Sequence, residues 1–167
     1  MSIEADLERL ALQERRLQFP SFDAQAAWAI GCRLKALAEQ RGGAVAIDIR
    51  LHGQPLFFCA MPGTAPTNVD WIRRKRNTVA MFHRSSYAMG LSLRLEKATL
   101  ESKTGVNLRD YATHGGCFPI LLQGGACIGT ITISGLPQRD DHELVVQAIA
   151  EFLSIPLSEI ALDPIAA

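Results

Sequence analysis

The chain has 167 residues, of which 48% are hydrophobic and 20% charged. That length and composition support a core without disulfide or metal staples and exclude a disordered chain. Lysine plus arginine equals aspartate plus glutamate at 17 each, so no net field draws the chain to nucleic acid or to an anionic membrane. No apolar run approaches the roughly 20 residues that span a bilayer. The opening MSIEADLERLALQERRL carries acids and lacks the apolar stretch of a secretory signal. The expectation is a cytoplasmic protein folded as one domain over residues 1–167.

Ile3, Leu7, Leu10 and Leu17 recur at helical spacing with charges between them, which predicts an amphipathic first helix over residues 1–18. Phe19-Pro20 breaks it. Ser21 is positioned to cap a second helix, whose apolar stripe is Phe22, Ala26, Ile30, Leu34 and Leu37 and whose end is Gly42-Gly43. In AVAIDIRL, Val45, Ile47, Ile49 and Leu51 point one way while Asp48 and Arg50 point the other, a strand pattern. His52 to Pro55 reads as a turn and Leu56 to Met61 as a second strand, completing a hairpin.

Asn68 to about Arg84 reads as a helix, followed by another capped by Ser85 or Ser86 and running to about Lys97. Thr99 to Gly116 carries no clear period. FPILLQ and ACIGTITIS flank Gly124-Gly125, whose freedom at positive φ suits a hairpin turn. The last helix is expected to start in a capping box formed by Asp140 and Glu143, with Leu144, Val145, Ala148, Ile149 and Phe152 as its apolar face. Two hairpins alternating with helices imply an α/β fold, a mainly antiparallel sheet covered by helices in an α/β/α layered arrangement.

The four cysteines, Cys32, Cys59, Cys117 and Cys127, form no CxxC pair and no Cys/His cluster with zinc spacing. They read as small buried hydrophobes in a reducing compartment, and no metal is expected.

The C-terminal stretch GGCFPILLQGGACIGTITISGLPQRDDHELV resembles the signature of the haem-degrading-domain (GlcG/HbpS-like) family. That signature has a glycine pair before a proline-bearing strand, a glycine turn, an "(I/V)G…(V/I)SG" strand and an acid-rich helix start. Gly115, Gly116, Pro119, Gly129, Ser134, Gly135 and Asp141 hold those places here. The hairpin AVAIDIRLHGQPLFF resembles the family's first hairpin, with Asp48, Gly53 and Leu56 in matching positions. WIRRKRNTVAMFHRSSY resembles its "A…KA.TA..F" helix, and the Trp-x-x-Arg-Lys run and Ser-Ser-Tyr mark a subgroup. The likeness covers roughly residues 22 to 153. It implies a profilin-like or roadblock-like layered domain, homo-oligomers and, for some members, binding or slow degradation of haem.

The sharpest chemical feature is the basic run Arg73, Arg74, Lys75, Arg76 and Arg84, opposed by the single acid Asp70. Arg73 and Arg76 share a helical face, and guanidinium groups grip carboxylates in bidentate fashion. Ser85 and Ser86, at a helix start, would add hydroxyls and free N–H groups. These four residues form the candidate anion site, facing the Gly115-Gly116 region. The plainer alternative is a solvated helix face or inter-subunit ion pairs. Apart from the preceding Trp71, no aromatic is interleaved with Arg73 to Arg76, so base stacking on nucleic acid is not expected. Haem needs an axial ligand, most often a neutral imidazole, and His83 and His114 are the candidates, although each is more simply explained as an exposed or hydrogen-bonded histidine. No CxxCH motif provides for covalent haem.

The expectation is therefore a cytosolic homo-oligomeric binding protein for a small anionic ligand, haem being one candidate. Two alternatives stand beside it: an adaptor whose first helix docks on a partner or sister subunit, and a metabolic enzyme using His114 with Asp141 and His142 for proton transfer.

Overall fold

The computed structural model describes residues 2–164. Helix α1 (Ile3–Arg16) is capped by the Ser2 side chain and leads into a two-residue strand, β1 (Gln18–Phe19). Helix α2 (Ala24–Gln40) follows. Its cap is Asp23, not Ser21: the Asp23 carboxylate accepts from the Ala26 N–H at 2.8 Å. All five residues of its expected stripe are buried. Strands β2 (Ala46–Leu51) and β3 (Gln54–Ala60) form the first hairpin, with only His52 and Gly53 between them. Both adopt positive φ, as the tightest hairpin turns require.

Helix α3 (Pro66–Phe82) starts at a proline, which is preorganised for a first turn, and ends on His83 in the left-handed conformation. Helix α4 (Ser86–Leu95) is capped by Ser85, and a short α5 (Leu100–Thr104) by Thr99. Strands β4 (Cys117–Leu122) and β5 (Cys127–Ser134) form the second hairpin around Gly124 and Gly125, both at positive φ. Helix α6 (Gln138–Phe152) begins two residues before Asp140, so the expected capping box does not form. Asp140 and Asp141 instead lie in its first turn, where negative charge meets the positive end of the helix dipole.

The sheet order is β1-β4-β5-β2-β3. The β2–β3, β2–β5 and β4–β5 pairs are antiparallel. β1 runs parallel to β4, so the sheet is mixed rather than purely antiparallel. A two-residue strand lies below the reach of any periodicity, and only its pairing with β4 defines it.

Strand alternation assigns the two faces. Ile47, Ile49, Phe118, Ile120, Ile131 and Ile133 are buried together with the apolar faces of α2 and α6 in the main core. The opposite face carries Asp48, Arg50, Cys117, Thr130 and Thr132 and is covered by α3. Helices therefore lie on both sides of the sheet, but one interlayer is apolar and the other polar. A smaller cluster of Leu10, Tyr87, Ala88, Leu91 and Leu162 joins α1 to α4 and to the C-terminal segment.

Candidate ligand cleft

The polar interlayer opens at one end into a cleft of about 440 Å³ between α3 and the turns of the two hairpins. That volume falls in the roughly 300–1,000 Å³ range of small-molecule sites. Asp48 and Arg50 are two apart on β2 and so share a face. Register places Thr130 of β5 directly opposite Arg50. Arg76 and Ala80 lie one turn apart on α3, and His83, the left-handed residue that ends the helix, follows them along the same wall of the cleft. His52, in the β2–β3 turn, completes the rim.

The floor of the cleft is built around one buried carboxylate. Arg50 Nε donates to both oxygens of Asp48, each at 3.1 Å, and Arg76 Nη1 donates to Asp48 Oδ2 at 2.9 Å. The Asp48 side chain is 2% exposed. Two guanidinium groups thus share one acid, leaving a formal surplus of one positive charge beside the cavity. Thr130 is buried at the same place, and its Oγ1 has no hydrogen-bond partner among the described residues. A buried hydroxyl without a partner is costly, and such groups call for a specific explanation. Burial pushes the Cys127 thiol at this rim upward, away from the thiolate needed for metal binding or nucleophilic attack.

A second, smaller pocket of about 230 Å³ lies on the far side of α3 and contains Trp71, Lys75, His114 and Asp141. Lys75 is buried and donates to the Gly115 carbonyl at 2.9 Å, to the Ile133 carbonyl and to Asp141 Oδ2 at 3.2 Å. Those three acceptors use all three ammonium hydrogens. Burial pushes Lys75 downward and Asp141 upward, each toward its neutral form, against the attraction between them. We read the group as a structural tie from α3 to the Gly115-Gly116 loop and the start of α6. His114 packs edge-on against Trp71 with ring centres 4.7 Å apart. Its pKa is lowered first by burial, then by Lys75 and Arg74.

The expected anion cluster is therefore not assembled as one site. Arg76 and His83 enter the large cleft, but Arg73 points elsewhere, with Nε on Asp70 at 3.1 Å and Nη1 on Asp110 at 2.9 Å. Ser85 and Ser86 are buried. Ser85 caps α4 by accepting from Ala88 N–H, and its own N–H donates to the Glu14 carboxylate at 2.8 Å. Ser86 Oγ accepts from Cys117 N–H at 3.1 Å. An acid from α1 thus occupies the helix start where a ligand anion was expected. The Gly115-Gly116 region is closed against α3 by Lys75. The proton-transfer trio is also dispersed. Asp141 is tied to Lys75, while His142 lies fully buried against Tyr87 and Phe118 with a pKa pushed down to about 3.

Sequence reasoning missed Arg50, Thr130 and Asp48 as site residues. The signal for the first and last was present: two opposite charges on the non-core face of a buried strand need partners in the covering layer. Thr130 became legible only through the β2–β5 register.

The model of the haem degrading protein HbpS-like family matches residues 22–150. A UPF0303 protein of Azotobacter vinelandii is 60% identical over 166 residues, covering 99% of this chain and 100% of its own. A UPF0303 protein of Paraburkholderia phymatum is 54% identical, covering 97% and 98%. Among solved structures, the Ybr137w protein superposes with a TM-score of 0.82 at 33% identity, covering 89% of this chain and 87% of that one. The PduOC:heme complex superposes with a TM-score of 0.67 at 20% identity, over 78% and 94% of the two chains, a likeness of fold. The match across most of its length, together with the shared architecture, shows that the chain belongs to the HbpS-like haem-degrading protein family.

Proposed function

We propose that this chain is a cytosolic, homo-oligomeric binding protein that holds a small anionic ligand in the cleft between α3 and the hairpin turns. The observation that carries this reading is the floor of the cleft. Arg50 and Arg76 share Asp48, leaving one surplus cation beside the unpartnered Thr130 hydroxyl. A carboxylate placed there would accept from a guanidinium and from Thr130, giving that hydroxyl a partner.

Haem is the ligand favoured by family membership and by the description of one structural neighbour as a heme complex. The residues present fit it. Ala80 and Ile128 offer apolar contact, Arg50 and Arg76 suit propionates, and His83 sits in the same cleft as an axial candidate. Haem, when bound, supplies the iron for redox and oxygen chemistry. His114, in the smaller pocket beside Lys75, shares no cavity with Arg76, so His83 is the better candidate.

Titrating the purified protein with haemin while following the Soret band tests the reading. A saturable, shifted band is expected at micromolar haemin. His83→Ala should abolish the shift, and Arg76→Gln and Thr130→Val should each weaken binding about tenfold or more, in line with the ~1.5–3 kcal/mol of a hydrogen bond to a charged group. No saturable change at micromolar haemin would remove haem as the ligand. Unchanged affinity in both the Arg76 and Thr130 variants would remove the site.

A further inference from the structure

Strand β3 forms one outer edge of the sheet and pairs on one side only, with β2. Its sequence, QPLFFCA, contains no charged residue. Exposed edges are ordinarily blunted by lysine, by inward-pointing charge or by brevity, because their free N–H and C=O groups recruit other strands. Here the blunting devices, Pro55 and the pairing irregularity opposite Ile49 and Arg50 that leaves Leu56 unpaired, lie together toward one end, and Phe57 to Ala60 remain as an open ladder. Large aromatic groups flank that ladder on both sides of the sheet. Phe58 is 52% exposed on the face that carries α3, and Trp28 of α2 is 65% exposed on the other, packed edge-on against Phe57 with ring centres 5.6 Å apart. Gly31 lets α2 sit directly on the Phe57 ring, since any larger residue would overlap it. Trp28 is therefore held beside the open edge.

We infer that this edge is the docking surface for a second copy of the same chain, β3 pairing antiparallel with β3 of its mate about a two-fold axis near Phe58. Three features select a second copy over a foreign partner. An antiparallel strand edge is self-complementary under a two-fold, the commonest symmetry of homo-oligomers. With Phe58 opposite its own mate, Leu56 faces Ala60 and Phe57 faces Cys59, so every cross-strand pair is apolar and no like charges meet. Exposed apolar area at the edge also goes some way toward what a dimer needs. Trp28 and Phe58 together expose on the order of 250 Å², roughly a third of the ~800 Å² that each partner contributes to a standard interface, before the rest of the strand is counted. The result is a continuous sheet of two copies, with the ligand clefts left open because neither Phe58 nor Trp28 lines them.

Sedimentation equilibrium of the full chain at tens of micromolar tests this directly. The wild type should sediment at twice the 18.2 kDa chain mass or a higher even multiple. Phe58→Lys should halve that mass, and Trp28→Ala should weaken the association at least tenfold, with far-UV circular dichroism unchanged in both. Both side chains are largely solvent-exposed in the single chain, so neither substitution threatens the core. A monomeric wild type, or an assembly mass untouched in both folded variants, would overturn the assignment. The assignment rests on the homo-oligomeric part of the proposed function; a monomeric wild type would overturn both, whereas an assembly untouched by the two variants would overturn this edge alone, and neither outcome bears on ligand binding.

Discussion

The side chain on which most of the polar interlayer depends is Lys75, which reached its position through the basic run but serves no anion. It binds two backbone carbonyls and the Asp141 carboxylate in a space where water does not reach. Removing one partner of such a pair leaves a buried charge uncompensated, which costs about 3–5 kcal/mol. Lys75→Met should therefore lower unfolding free energy in urea by about that amount. The double variant Lys75→Met with Asp141→Leu should recover part of the loss, because no buried charge remains. Equal losses in single and double variants would place the stabilisation in the two carbonyl contacts instead. Thr130 makes the opposite case. Its hydroxyl has no partner among the described residues, so Thr130→Val should leave the stability within about 0.5 kcal/mol of wild type while weakening ligand binding. A marked stability loss would mean that the hydroxyl has a structural partner.

Among the elements, β5 connects core to cleft. Its odd-numbered isoleucines enter the main core, its threonines face α3, and Gly129 lies opposite Leu51 of β2 at the mouth of the cleft. A methyl group on Gly129 would overlap the Arg50 carbonyl oxygen, and strand glycines commonly mark such close backbone approaches. Gly129→Ala should push β2 and β5 apart at the residue that carries the Arg50 side chain. The expected cost is about 2–3 kcal/mol, with ligand affinity falling alongside. Wild-type affinity and stability in this variant would show that the hairpins can yield there. The alternation in AVAIDIRL and the glycine turns are legible in the sequence, because period and positive-φ demand are local properties. The second helix's cap was misassigned because Ser21 and Asp23 are both competent, and their local sequences do not say which one the backbone selects. β1 was invisible for a different reason: its two residues become a strand only through a partner about a hundred residues away. The candidate site was half legible. Arg76 and His83 come from one local stretch of sequence, α3 and the residue that ends it, and both are among the candidates. Arg50 and Thr130 come from strands whose register no local rule supplies. The reading of Ser85 as an anion donor failed because Glu14, from α1, had already taken that helix start.

Across the whole molecule, the two ends of the chain meet at one buried histidine. His142 Nε2 lies 2.8 Å from Gln13 Oε1, and Gln13 Nε2 donates to the Ile160 carbonyl at 2.9 Å. With its amide so fixed, Gln13 can only accept from the ring, so Nε2 carries the proton. Nδ1 has no partner among the described residues. This clasp joins α1, α6 and the C-terminal segment. Protonating His142 would bury a cation with nothing to receive the new N–H, and Arg139 nearby opposes it further; these effects hold the pKa at about 3. In the unfolded chain the same ring titrates near 6.5. The folded pKa is the depressed one, so the unfolded state takes up protons first as pH falls. The contribution of neutral His142 is present above about pH 6.5 and is lost progressively down to about pH 3. The slope approaches 1.4 kcal/mol per pH unit, on the order of 5 kcal/mol over the whole range. His114 titrates with the same sign, and carboxylates join below pH 5, so the informative quantity is a difference between proteins. Urea unfolding of wild type and His142→Gln between pH 7 and pH 5 should give profiles that converge as pH falls, with the wild type losing about 2 kcal/mol more. Parallel profiles would show that His142 is reached by protons without unfolding and that the clasp does not set the acid limit of the fold.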